Sequence, residues 1–136
     1  MYEVFEHTAD LGLRVRAADL NELFADAARG LFAMVVENIE DVEEVRAVDF
    51  EIEGSDREYL FFDWLNELLY HCDTEKLILS RFEVEVTESG LRATGFGEPL
   101  DPRRHRLAHE VKAITYHHLK VEQTADGWLA EVIVDI

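Results

Sequence analysis

Leu13, Val15 and Ala17 alternate with Arg14 and Arg16, the spacing of a strand with one face buried. Tyr2-Glu-Val-Phe begins a second such run, and "HTAD", His7 to Asp10, interrupts the alternation between them. After Ala17 the period changes. Asp19-Leu-Asn-Glu22 reads as a capping box, and Leu20, Leu23, Phe24, Ala27, Ala28, Leu31, Phe32 and Val35 follow three and four apart, predicting a helix over 20–37. Val48, Phe50 and Ile52 alternate with Asp49, Glu51 and Glu53, a third strand. Ser55-Asp-Arg-Glu58 then reads as a second capping box, ahead of "YLFFDWLNELLYHC", Tyr59 to Cys72. That stretch is apolar over more than half its circumference, so it predicts a helix buried more deeply than the first and ending near Asp73-Thr74.

Beyond it the pattern is almost wholly strand. Phe82, Val84 and Val86 alternate with Glu83 and Glu85, a Ser89-Gly90 turn follows, and Leu91–Phe96, Val111–Val121 and Trp128–Ile136 complete the set. Asp126-Gly127 is the hairpin signal before the last strand, and "GEPLDPRRHRLAH", Gly97 to His109, is a long loop containing two prolines. Strands that follow the helices without interruption favour α+β over a doubly wound parallel sheet. The expected architecture is two helices packed on one face of a mixed, largely antiparallel sheet, a single two-layer domain over residues 1–136.

Composition narrows the class. With 48% apolar residues the chain has the means for a packed core, and a chain of this length folds without needing a metal or disulfide. Cys72 is the only cysteine, which excludes an internal disulfide or a cysteine cluster for zinc or iron and sulfur. Glu3 and Glu6 stand where a signal peptide would be basic, and no run is long and apolar enough for a membrane span, so a cytoplasmic protein with no membrane partner is expected. Net charge is −17, which opposes free association with nucleic-acid phosphates and favours a protein partner or a cation.

Three places offer chemistry. In "HTAD", Thr8 and Asp10 either cap a turn while His7 fills a surface gap, or the segment holds a ligand. At the other end, Asp135 is next to last in an otherwise apolar strand. Counting back from Asp126-Gly127 sets it opposite His118 for a two-residue loop, or opposite Tyr116 for a four-residue one. With the main-chain oxygens of Ile136 it supplies the hard oxygen donors that calcium or magnesium prefers. The third place is the basic cluster Arg103, Arg104 and Arg106, a candidate contact for phosphate, RNA or an acidic partner surface. His105 and His109 stand four apart but lack the HExxH pattern, so zinc hydrolysis is weakly supported.

"HTAD", "WLNELLY", "EVKAITYHH" and the terminal "VDI" together resemble the archease family, in register across essentially the whole chain. The resemblance implies a helper rather than an enzyme. It would activate the tRNA-splicing RNA ligase RtcB, a GTP- and manganese-dependent enzyme, by promoting its guanylylation and multiple turnover and broadening its nucleotide use. Association with tRNA would be indirect, through the ligase. It also implies a divalent cation, calcium by first expectation with magnesium or manganese as alternatives, held by Asp10, Asp135 and Ile136. Lys112 of the "VKA" block is expected to serve ligase activation, with His7 and His117 flanking the site. The residues leave open a small metal-dependent phosphoester hydrolase using Asp10, Asp135 and the histidines between 105 and 118, and the resemblance itself also implies the alternative of a general chaperone or modulator of nucleic-acid-processing proteins.

Overall fold

The computed structural model describes every residue from Met1 to Ile136. β1 (Tyr2–His7) and β2 (Asp10–Ala17) form a hairpin, followed by α1 (Leu20–Val35), a short 3-10 turn (Ile39–Asp41), β3 (Arg46–Glu53) and α2 (Arg57–Glu75). Then come β4 (Leu77–Thr87), β5 (Gly90–Pro99), β6 (Ala113–Ile114), β7 (Lys120–Thr124) and β8 (Gly127–Asp135). The class is α+β, as the order of elements implied.

The strands divide into two sheets rather than forming one. The larger runs β1-β2-β8-β6 with β7 also paired to β8; the smaller runs β3-β5-β4. Every pair is antiparallel, although a mixed sheet was expected. The α2 crossover from β3 to β4 does not produce a parallel pair because β5 lies between those strands and runs against both. Gly97 permits close approach within the smaller sheet: a Cβ there would lie 1.9 Å from the Ile78 carbonyl oxygen, opposite the irregularity between Leu79 and Arg81 of β4.

One apolar core of 30 buried residues joins both sheets and both helices. Burial reverses the expected ranking of the helices. α1 buries eight of its 16 residues, packing against both β2 and β4, whereas α2 buries six of its 19 and leaves Tyr59 and Tyr70 exposed. Apolar residues around much of α2 therefore report aromatic rings turned to the surface, not deeper burial. Its inward anchor is Trp64, fully buried against Phe50, whose indole N–H donates to the Phe24 carbonyl of α1 at 2.9 Å.

The helix starts are only partly as read. Asp19 caps α1, its carboxylate accepting the Glu22 N–H at 2.8 Å. For α2 the cap is Asp56, which accepts the Tyr59 N–H at 3.0 Å, one position later than the expected box at Ser55. No helix is long and apolar enough to cross a membrane.

Candidate cation site at the end of the five-stranded sheet

"HTAD" is a two-residue hairpin loop. His7 pairs with Asp10 across it, and Thr8 takes a left-handed φ of 49°, unusual for a β-branched residue. The interruption in the sequence is thus a turn, yet it delivers Asp10 to a particular place. β2 pairs with β8 as far as Leu11↔Val134, so one step further along the same register brings Asp10 beside Asp135.

The neighbour of Asp135 on its other side differs from the expected one. The β7–β8 loop is Ala125-Asp126, with Thr124 paired to Gly127, so unbroken pairing would have set Asp135 against Tyr116. Instead the chain turns at Tyr116–Leu119, where the Leu119 N–H bonds the Tyr116 carbonyl at 3.2 Å and His118 has φ 55°. The expected strand Val111–Val121 is therefore split into β6 and β7. Asp135 pairs with Ala113, and its carbonyl accepts the Lys112 N–H at 2.8 Å. "VKA" consequently lies directly against "VDI". The Lys112 side chain is exposed and makes no salt bridge, and Ile136 packs partly buried against the core.

Electrostatics set this strand end apart from the rest of the sheet. Farther along, Glu3, Arg14, Glu131 and Lys120 form one row across β1, β2, β8 and β7, alternating in sign. Arg14 bonds Glu131 and also Glu3, at 2.9 Å for the latter, while Lys120 lies 3.5 Å from Glu131. Burial pushes the Glu131 carboxyl up, but the Arg14 bond prevails and holds it below its ordinary range. Asp10 and Asp135 are on the same face by strand alternation, four residues from Arg14 and Glu131, and neither has a salt-bridge partner. Residues directly opposite in neighbouring strands have Cβ atoms about 4.5–5.5 Å apart, and like charges there are destabilising. Two opposed carboxylates with main-chain oxygens beside them are suited to a hard divalent cation.

Three histidines adjoin this row. His7, His117 and His118 bring ring nitrogens within 4.8 Å of one another, and the His7 Nδ1 is buried with no hydrogen-bond partner. His118 was expected only as a possible neighbour of Asp135 and in the hydrolase alternative, not in the cation or activation site; its signal was the doublet with His117.

The arginine loop is internally committed. Arg104 bonds Glu98, Arg106 lies 3.6 Å from Glu37, and Arg103, the most exposed of the three, lies 3.3 Å from Asp101. Glu98 is 5% exposed and also accepts the Glu43 N–H at 2.6 Å. His105 is fully buried; its Nδ1 accepts the Asp101 N–H at 2.9 Å, which leaves Nε2–H to donate to Glu98 at 3.2 Å. Burial raises the Glu98 carboxyl, but Arg104, the Glu43 amide and His105 bring it down to about 2. His105 therefore anchors the long loop and does not pair with His109. A groove of about 850 Å³, lined by Asp49, Glu51, Glu83, Glu85 and Arg92 among others, lies on the three-stranded sheet, apart from these residues.

The molecule is thus a small two-sheet α+β domain whose N-terminal hairpin and last strand bring two unpaired aspartates together at one sheet end. Residues 2–136 match the Archease protein family (MTH1598/TM1083). "Protein archease" of Pyrococcus abyssi is 44% identical over 140 residues, covering 99% of this chain and 98% of the relative. The solution structure of Methanobacterium thermoautotrophicum protein 1598 superposes with a TM-score of 0.88 at 34% identity, covering 99% of this chain and 98% of that one. A Thermotoga maritima crystal structure, described as an archease and possible chaperone, superposes with a TM-score of 0.69 at 23% identity, covering 100% of this chain and 98% of that one. The chain belongs to the archease family.

Proposed function

We propose that this chain is an activator of an RtcB-type RNA ligase, promoting guanylylation and repeated turnover through a divalent-cation site at Asp10, Asp135 and Ile136. The observation that carries this reading is the meeting, at one sheet end, of the blocks on which the family resemblance rests: "HTAD", "VKA" and "VDI". Their separation in sequence makes the convergence informative.

Asp10 and Asp135 would hold the ion with main-chain oxygen from Ile136, and the ion would supply positive charge able to engage phosphate oxygens or partner carboxylates. Lys112, tied to Asp135 through its backbone, presents an exposed ammonium with no partner in the chain, suited to a phosphate or an acidic group. A net charge of −17 favours encounter with a basic, nucleic-acid-binding enzyme by electrostatic steering.

The test follows the ligase–nucleotide adduct and repeated joining with and without the protein, at limiting ligase. Wild type should accelerate both, and Asp10→Ala, Asp135→Ala and Lys112→Ala should each lose most of the effect. Absence of stimulation by wild type would refute the partnership. Full activity in all three variants would refute the site while leaving the partnership standing.

A further inference from the structure

The carboxylate pair leaves the adjacent imidazoles unexplained. His7 closes the β1–β2 hairpin, whereas His117 and His118 come from the turn between β6 and β7, so two separate loops converge on one point. His7 and His117 have ring centroids 5.6 Å apart, His7 and His118 6.0 Å, and His117 and His118 4.1 Å. Neither His117 nor His118 has a side-chain hydrogen bond that would fix its ring for a structural purpose, and both are exposed. The buried His7 Nδ1 has no partner either, and such a group normally bonds protein or water. Backbone strain concentrates here too: of three non-glycine residues with positive φ, Thr8 and His118 belong to these two loops.

We propose that His7, His117 and His118 form a second metal site, a three-imidazole site for a borderline divalent transition ion of the zinc and cobalt class. Neutral imidazole nitrogen is the donor that suits such ions, whereas calcium and magnesium require oxygen. Zinc–nitrogen bonds of about 2.0–2.1 Å set tetrahedral nitrogens about 3.3 Å apart, so rotation of the two exposed rings toward His7 closes the 4.8 Å spread. Three protein ligands leave a fourth position for water or a partner's group, the pattern of an open site. It differs from the aspartate site in donor chemistry and stands independently of ligase activation.

Untagged full-length protein titrated with cobalt(II) provides the test, read as visible d–d absorption. Wild type should develop a band saturating near one equivalent, displaced by zinc and unaffected by excess calcium. His117→Ala and His118→Asn should each weaken cobalt binding by more than the roughly 10–100-fold that outer-sphere partners cost. Asparagine retains the left-handed backbone at position 118, and unchanged thermal melting in both variants would show that the fold is intact. Asp10→Asn should leave the band in place. No band, a band indifferent to the histidine substitutions, or one abolished by Asp10→Asn or excess calcium would overturn the proposal.

Discussion

By extension of the β2–β8 register Asp10 falls opposite Asp135 with no salt-bridge partner for either, while Arg14 and Glu131, four residues away, are matched. Like charges opposed across a strand pair cost on the order of 0.2–1 kcal/mol. In chelator, Asp10→Asn or Asp135→Asn should therefore leave thermal stability unchanged or slightly raised. Millimolar calcium, magnesium or manganese should raise the wild-type midpoint and not that of either variant; a wild-type midpoint indifferent to all three would remove the cation from this place. Glu98 makes the opposite contribution, because its buried carboxylate is matched. Its folded value of about 2 lies below the ordinary 4.5, so its stabilisation is present above 4.5 and is lost as pH falls toward 2. Urea midpoints should decline across that interval, and Glu98→Gln should lower the neutral-pH midpoint and flatten the decline. An acid limb as steep in the variant as in wild type would assign it to other groups.

For the elements, helix positions were legible because capping and apolar spacing are local properties of one segment. Their depth of burial was not, since it depends on how each helix is seated in the whole core: both helices touch both sheets, but α1 packs closely on β2 and β4 while α2 keeps Tyr59 and Tyr70 at the surface. The cap of α2 shows the same limit at finer scale. Ser55 and Asp56 are both good capping residues, and the backbone path selects Asp56. Asp56→Ala should cost about 1 kcal/mol in chemical denaturation, against no more than about 0.5 kcal/mol for Ser55→Ala. Trp64→Ala, which removes a fully buried ring and its bond to Phe24, should cost about 3–5 kcal/mol. Comparable losses at Ser55 and Asp56 would contradict the observed cap.

At the scale of the molecule, charge makes the proposed partnership salt-sensitive. Raising ionic strength from about 0.1 to about 1 M shortens the screening length from about 10 to about 3 Å. Stimulation of the ligase should fall steeply over this range if a net charge of −17 guides the encounter, and constant stimulation would exclude steering. That acidity was visible in composition; the surfaces that express it depend on the division into two sheets.

Strand and helix periods, the α+β class, and Asp10 and Asp135 as residues of interest were readable from the chain itself, whereas their pairing in one site and the interest of Lys112 came through resemblance of short blocks. Each feature read from the chain itself is encoded over a few neighbouring residues, where hydrogen bonding and burial impose a period. Pairing between distant segments follows another rule, because it depends on which closures the whole core accepts. A turn at Tyr116–Leu119 displaces the register, so Asp135 meets Ala113 rather than Tyr116 or His118, and β5 keeps β3 and β4 from pairing. Those non-local choices set the two aspartates side by side and brought His118 to His7, contacts for which no local pattern exists.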